Sequence, residues 1–220
     1  LRLGLSLASD LGGDSYYSFV ATYRATLLNR LGAEWRTDFQ TGRTTRLATE
    51  FYQPLTPAQR LFVAPHAEYV RDPFDLYNEE GVRLASYQRV ASTAGFDLGV
   101  PIGKSGEARL GVSRGQVSLS TDTSFIPGAL LVPTTQMGGV TARLRVDTLD
   151  NLRFPRSGYE ADVQLYASRQ SFGAADNYSK LSASLSAAFA TGPHSVQLAV
   201  RGAGPASGGE LPLYELFSLG

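Results

Sequence analysis

The sequence contains no cysteine among its 220 residues. That absence excludes disulfide bridges, thiolate metal sites and cysteine nucleophiles, and it fits an envelope protein that avoids accidental bridging. An excess of one charge sign is also missing, because 20 basic residues balance 20 acidic ones. Without net positive charge the chain lacks the long-range attraction that nucleic-acid binders use, so we do not expect nucleic acid as a partner.

Long apolar runs are missing as well. No segment approaches the roughly 18 consecutive apolar residues that a transmembrane helix needs. The chain opens with Leu-Arg-Leu-Gly-Leu-Ser-Leu, which alternates instead of forming the apolar core of a signal peptide. The only methionine is Met137. We therefore expect an internal part of a longer protein, with any signal peptide upstream and an incomplete C-terminal end.

What the sequence does contain is alternation with a period of two, the mark of a β-strand with two different faces. Around the middle of the chain, Val140, Ala142 and Leu144 fall on one face, whereas Thr141 and Arg143 fall on the other. About eleven such segments recur, with lengths that match the ~9 to 11 residues of a tilted membrane strand. The predicted strands lie near residues 1–7, 16–28, 33–40, 46–52, 61–71, 83–100, 107–119, 139–147, 158–168, 178–190 and 194–201.

The connections between these segments alternate in length. Residues 54–60, 103–106 and 191–193 form short turns, and the segments in between are longer and polar: 72–82, 120–138, 169–177 and 203 onward. Short periplasmic turns and long outer loops are typical of membrane barrels. The short link at residues 41–45 is an exception to the pattern.

The choice between membrane barrel and soluble sheet depends on the polar face. Charged residues occupy its strand centres, where opposite charges can pair inside a wet lumen, and the apolar face ends in aromatic residues, as lipid-facing bands do. A soluble all-β binding protein, with the apolar face inward, is the alternative that solubility without detergent would favour. The charged residues in question are Arg24, Glu34, Arg36, Asp38, Glu50, Arg143, Arg145, Asp162 and Arg201.

We predict an all-β, antiparallel transmembrane β-barrel in the bacterial outer membrane, with residues 1–220 as one incomplete barrel domain. A sheet in lipid must close, because lipid offers no partner to an exposed strand edge. Bacterial single-chain barrels have even strand numbers, so about eleven strands imply that more follow.

One pattern hints at catalysis. Gly111-Val-Ser-Arg-Gly115 matches G-x-S-x-G, whose serine needs a strained turn between a strand and a helix. Here Ser113 lies within an alternating segment and no helix pattern follows. We therefore predict that this segment has no catalytic residue.

Metal sites are not expected either. His66 and His194 are too few and too isolated for a site that takes three or four ligands. An acidic stretch lacks EF-hand spacing, so we interpret it as solvated loop charge and predict no metal and no cofactor. Its residues are Asp72, Asp75, Glu79 and Glu80.

The corner after the 139–147 segment reads Asp150-Asn151-Leu-Arg-Phe154-Pro155-Arg-Ser-Gly158-Tyr159. It resembles the BamA/TamA superfamily of outer-membrane barrels, also called the bacterial surface antigen family, in which an Asp or Asn precedes Phe-Pro-x-x-Gly at the start of a strand. The proline fixes φ and ends the preceding ladder, and the glycine permits the turn. The resemblance makes Asp150, Asn151, Phe154, Pro155, Gly158 and Tyr159 the signature of the corner.

A second likeness to that family lies near the end of the chain, in Leu211-Pro-Leu-Tyr-Glu-Leu-Phe-Ser-Leu-Gly220. It resembles the stem of the family's long inward-folded loop, with Leu211, Pro212, Tyr214, Phe217 and Gly220 as its signature. The family's Val/Ile-Arg-Gly-Phe/Tyr tetrapeptide would follow Gly220, so its arginine has no counterpart in this sequence.

A narrower likeness covers the first half, in Thr26–Arg36, Thr49–Leu55 and Phe62–Pro65. These segments resemble the barrel of PlpD-type patatin-like phospholipases, which are autotransporters. The resemblance implies an upstream lipase domain, one POTRA module and a 16-stranded barrel, of which this chain would be the first eleven strands or so.

By that resemblance the barrel anchors a passenger and assists its passage to the surface. Its expected partners are outer-membrane lipid and its own passenger domain or client outer-membrane proteins. The alternative is a BamA/TamA-type assembly factor, whose weak seam admits client strands. One patatin domain or several POTRA modules upstream would distinguish the two.

Overall fold

The computed structural model describes residues 1–9, 15–77, 83–124, 132–151, 154–207 and 210–215. Within these ranges the chain forms eleven β-strands and two short 3₁₀ turns, Gln170–Phe172 and Leu213–Glu215. No helical segment there has the length and apolar character to cross a bilayer. The strands are β1 (Arg2–Ser9), β2 (Ser15–Ala25), β3 (Glu34–Gly42), β4 (Thr45–Pro54), β5 (Phe62–Tyr77), β6 (Arg83–Ile102), β7 (Gly106–Ser124), β8 (Val132–Asp147), β9 (Gly158–Ser168), β10 (Tyr178–Thr191) and β11 (His194–Pro205).

All eleven strands belong to one sheet and follow one another in chain order, each antiparallel to the next. The connections after β2, β4, β6, β8 and β10 lie at one end of the sheet, which we call the turn rim. The opposite end, where the chain passes from β5 to β6, from β7 to β8 and from β9 to β10, is the loop rim. Among the described residues β1 and β11 each pair on one side only, so they form the two edges.

The predicted strands are confirmed, and β9 has the predicted bounds. The main differences lie at the loop rim, where β5 continues to Tyr77, β7 continues to Ser124 and β8 already begins at Val132. Hydropathy no longer alternates there, but backbone pairing between the strands continues. Asp72, for example, still opposes Arg89 in the β5–β6 ladder. Alternation in the sequence therefore ends where the outer face leaves the lipid, whereas the ladder of backbone hydrogen bonds extends past that point.

The acidic stretch is therefore not simply a loop. Asp72 and Asp75 belong to β5, and the Asp72 carboxylate accepts two hydrogen bonds from Arg89, at 3.0 and 3.1 Å. Its charge is paired with a neighbouring strand rather than solvated. Glu79 and Glu80 lie outside the described residues.

The two faces of the sheet differ as predicted. Leu144 on β8 and Leu185 on β10 point outward and are 45% and 54% exposed. A continuous apolar surface of this extent is rare on soluble proteins and suits lipid instead. Further exposed apolar residues on the outer face are Leu3, Leu5, Tyr17, Phe19, Tyr23, Trp35, Phe39, Leu47, Tyr69, Phe96, Leu98, Val100, Leu110, Val112, Leu165, Leu181, Phe189, Val196, Leu198 and Val200.

Candidate functional site

The inner face of the sheet is concave and carries most of the charge. Its charges pair across neighbouring strands, as residues on one face of an antiparallel ladder can. Arg143 on β8 donates to Asp162 on β9, and Arg145 donates to Glu160 at 3.1 Å. The structure thus brings together Arg143, Arg145 and Asp162, which the sequence predicted for the lumen.

The central charge of the inner face is Arg109 on β7, whose side chain is only 10% exposed. Its guanidinium lies 2.6 Å from the Glu50 carboxylate, 2.9 Å from Glu107 and 3.6 Å from Asp97. A buried arginine keeps its charge when carboxylates surround it in this way. Arg109 therefore links β4 and β6 to its own strand, β7, through ion pairs on the inner face.

An aromatic cluster supports Arg109 near the turn rim. The Arg109 guanidinium lies 5.2 Å from the ring centroid of Phe62, which is a cation–π distance. Phe62 is fully buried and packs against Tyr52, with 4.5 Å between ring centroids. The ring occupies space that Gly99 leaves free, because a Cβ atom at Gly99 would lie 2.2 Å from Phe62 Cζ.

These inward-facing aromatics differ from the sequence interpretation, which assigned aromatic residues near strand ends to an interface belt. Trp35 and Tyr159 do face outward, at 50% and 53% exposure. Tyr52 and Phe62, however, share the inner face with Glu50. The signal available in the sequence was Gly99 near the end of an alternating strand, since a glycine within a strand marks a close approach.

The segment after β11 lies inside the sheet. Tyr214 is buried in a cluster with Tyr87, Val117, Leu119 and Tyr178 from the wall. Leu211 and Leu213 pack against the same cluster, and this is the principal apolar core of the described chain. The predicted loop stem thus returns into the lumen and packs against the inner faces of β6, β7 and β10.

Polar contacts hold this segment in place. Glu215 is 9% exposed, and its carboxylate accepts hydrogen bonds from the Tyr178 hydroxyl at 2.9 Å and from Lys180 Nζ at 2.8 Å. Arg89 donates to the backbone carbonyl of Tyr214 at 3.2 Å. A buried carboxylate with two such donors is satisfied, so the contact is specific in position as well as in charge.

Tyr214 also reaches the connection between β9 and β10. Its hydroxyl donates to Asp176 Oδ2 at 3.2 Å. Burial, together with the nearby Asp176 charge, raises the pKa of the Tyr214 hydroxyl above its ordinary value, so the phenol stays neutral and remains a donor. Of the predicted stem residues, Leu211, Pro212 and Tyr214 are described, whereas Phe217 and Gly220 lie outside the described residues.

The corner between β8 and β9 is built on Asp150. Its Oδ1 atom accepts hydrogen bonds from the backbone N–H groups of Arg156, at 2.9 Å, and Ser157, at 3.2 Å. Asn151 Oδ1 accepts from the N–H of Phe154 at 3.2 Å. The two side chains replace the backbone partners that a sharp corner leaves unsatisfied.

The remaining signature residues fix the exit into β9. Gly158 has φ +105°, and a Cβ atom there would lie 2.3 Å from the Thr148 carbonyl oxygen, so no other residue fits without strain. Pro155 is buried, whereas Phe154 is 80% exposed. Arg156 donates to the carbonyl of Gly192 at 2.6 Å, which joins the corner to the β10–β11 turn.

Ser113 lies within β7, where it opposes Gly95 on one side and Gly139 on the other. The strand continues to Ser124, so the turn between a strand and a helix that a G-x-S-x-G nucleophile requires is not formed. His66 Nδ1 lies 3.2 Å from the Ala64 carbonyl oxygen and 3.7 Å from Asp97. No group of three or more metal-binding side chains occurs in the described ranges.

A single antiparallel wall with an apolar outer face, an ion-paired inner face and an infolded segment defines an outer-membrane β-barrel. The Omp85 superfamily domain matches residues 28–220, and the chain belongs to that superfamily.

Solved structures also match the fold of this chain. The wall is similar to BamA from Haemophilus ducreyi, in a crystal structure lacking POTRA domains 1–3, with a TM-score of 0.67 and 14% sequence identity. The match covers 98% of this chain and 43% of that chain, so this chain spans under half the length of the BamA structure. The curated proteins give no match.

Proposed function

We propose that this chain is the outer-membrane anchor and translocator barrel of a PlpD-like autotransporter that carries an upstream patatin lipase domain. The reaction would belong to that upstream domain, and the barrel would hold it at the membrane and assist its passage to the surface. The proposal includes residues 1–220 as one barrel domain in the bacterial outer membrane. Its partners would be lipid and its own passenger.

The observation that carries the proposal is the convergence of the three segments that resemble the PlpD-type barrel. Asn29 accepts hydrogen bonds from the N–H groups of Leu31 and Ala33 through Oδ1, and donates from Nδ2 to Gln53 at 2.7 Å. Pro54 opposes Phe62 in the β4–β5 ladder. Three separate segments therefore form one bonded unit at the turn rim, which supports their interpretation as one shared feature.

The same unit is tightly packed. Ala33 and Phe62 are fully buried, and Trp35 Nε1 donates to Thr49 Oγ1 at 2.8 Å on the outer face. β1 begins on the same rim, because Arg2 opposes Thr22 on β2. A domain preceding Leu1 would therefore be joined to the barrel beside this unit.

The test is surface exposure of the passenger in a Gram-negative host that produces the full-length protein. We expect the upstream domain to be cleaved by protease added to intact cells. We also expect Pro54→Asp/Phe62→Asp, which disrupts the unit, to abolish cleavage. Arg60→Asp in the exposed β4–β5 connection is the matched control and should leave cleavage unchanged. An upstream domain that stays protected in intact cells with a folded barrel would refute the proposal.

An assembly factor of the BamA/TamA type is the second candidate, and the likeness of the wall to the BamA structure favours it. The two functions differ in what depletion of the protein does. Loss of an assembly factor lowers the amounts of many other outer-membrane proteins, whereas loss of an autotransporter removes only its own passenger. Quantitative proteomics of outer membranes with and without the protein distinguishes these outcomes.

A further inference from the structure

Charge on the two faces of the wall is distributed unequally by sign. Among strand residues whose side chains the structure describes, every carboxylate occupies an inner-face position, as Glu50 and Asp162 do. Two arginines lie instead on the outer face, Arg71 on β5 and Arg114 on β7, and both are exposed. The outer face therefore carries positive charge without a carboxylate to balance it.

Both arginines lie where the apolar band ends. On β7 the outward residues are apolar as far as Val112, and Gln116 follows Arg114 toward the loop rim. On β5 Tyr69 is the last apolar outward residue before Arg71. An outward arginine is strongly destabilising at the bilayer midplane but is tolerated at little cost near the interfaces. Both side chains are therefore at headgroup depth when the band lies in lipid.

Arg114 is held in a defined place. Its guanidinium lies against Gly173, where a Cβ atom would be 2.9 Å from Arg114 Cζ. Gly173 has φ +84° and follows the 3₁₀ turn at Gln170–Phe172, which packs over Gly138 on the outer surface of β8. Within the described ranges the side chains of Arg114 and Arg71 make no hydrogen bond and no ion pair. The donors of both guanidinium groups are free for an external acceptor.

A third arginine extends this set beside β9. Arg169 follows the last residue of β9 and donates from Nη1 to the carbonyls of Ser168 and Tyr178, and from Nη2 to Ser179 Oγ. It is exposed, and its charge is not neutralised by a carboxylate among these partners. Arg71, Arg114 and Arg169 thus mark the edge of the apolar band on β5, β7 and β9, and we call them the outer arginine arc.

We propose that the outer arginine arc binds the phosphate groups of anionic lipid headgroups in the leaflet at the loop rim. Guanidinium matches phosphate oxygens through paired donors, and the apolar residues below each arginine accommodate acyl chains. The occupant is a lipid rather than free phosphate, because each cation lies at the boundary of a lipid-facing band. The inference rests on the membrane placement in the proposed function but not on translocation of a passenger.

The test compares lipid retention by the full-length protein in a neutral detergent, measured by native mass spectrometry. The probes are diphosphoryl lipid A, the same lipid without phosphates, phosphatidylcholine and inorganic phosphate. We expect preferential retention of diphosphoryl lipid A. We also expect Arg71→Gln/Arg114→Gln to reduce that retention by about tenfold, as the loss of charge-assisted hydrogen bonds implies.

Arg30→Gln/Arg60→Gln is the matched control, because it removes the same charge from exposed positions on the turn rim. It should retain diphosphoryl lipid A as the wild type does, and Arg114→Lys should keep part of the binding. If the double variant does not migrate as a folded barrel on unheated gels, Arg114→Gln alone is used. An equal loss in the turn-rim control, equal retention of both lipid A forms, or equal binding of inorganic phosphate would overturn the proposal. A translocation defect in a barrel that still retains the lipid would concern the proposed function alone.

Discussion

Leu144 and Thr141 lie three positions apart on β8 and face opposite sides of the wall. Leu144 is 45% exposed on the outer face, and Thr141 lines the interior. We expect Leu144→Arg to lower the free energy of unfolding by roughly 2–4 kcal/mol when the site lies near the bilayer midplane, and Thr141→Arg to cost much less. Reversible unfolding in lipid vesicles, with the complete barrel, measures both. Equal costs would contradict the assignment of faces.

Asp150 offers a second test at the scale of one residue. Hydrogen bonds from the N–H groups of Arg156 and Ser157 lower the pKa of its carboxyl below the ordinary value. A lowered folded pKa stabilises the corner above the unfolded pKa of about 3.9, and this contribution is lost as pH falls through the folded pKa. We expect Asp150→Ala to speed amide exchange at Arg156 and Ser157 at pH 7, with Asp150→Asn in between. Unchanged exchange in Asp150→Ala would exclude this role.

Individual positions also show how far sequence reasoning extends. The faces of Leu144, Arg143 and Asp162 followed from alternation alone, because the period of a strand is fixed. The sequence did not indicate that Arg109 and Phe62 form the central cluster of the inner face. Their contacts join strands that are far apart in sequence, and no local pattern encodes such contacts. The Glu50–Arg109 contact, for example, spans 59 positions.

At the scale of elements, the infolded segment at residues 210–215 depends on Glu215. We expect Glu215→Ala to destabilise the fold by about 1–3 kcal/mol, because Lys180 and the Tyr178 hydroxyl lose their shared partner. Glu210→Ala is the control, since Glu210 is exposed on the same segment. Urea unfolding in lipid vesicles measures the difference. Equal effects of the two substitutions would mean that the ion pair does not anchor the segment.

The sequence was sufficient to predict that each strand exists, but it did not show how far the strands extend at the loop rim. Hydropathy alternates only where one face meets lipid, so β5 and β8 were predicted too short at the end that extends past the apolar band. The inward return of the 210–215 segment was expected from the family resemblance alone, because neither hydropathy nor periodicity in that segment indicates it. It rests on contacts such as that between Arg89 and Tyr214, which are 125 positions apart.

At the scale of the molecule, eleven strands leave two edges with unpaired backbone groups in the described wall. Lipid cannot satisfy such groups, so a spanning sheet requires closure. We therefore expect residues 1–220, produced alone, not to form a closed barrel. Electrophoresis with and without heating checks this, because closed barrels migrate faster when unheated. A compact, heat-modifiable species would show that the eleven strands close by themselves.

The arrangement around Arg109 has an electrostatic consequence for the space it borders. One guanidinium faces the carboxylates of Glu50, Glu107 and Asp97. Arg36 opposes Glu50 in the β3–β4 ladder and Arg145 opposes Glu107 in the β7–β8 ladder, so charges of both signs stand side by side around the interior. A solute in the enclosed water therefore meets closely spaced opposite charges rather than one uniform potential, and this part of the lumen favours neither cations nor anions.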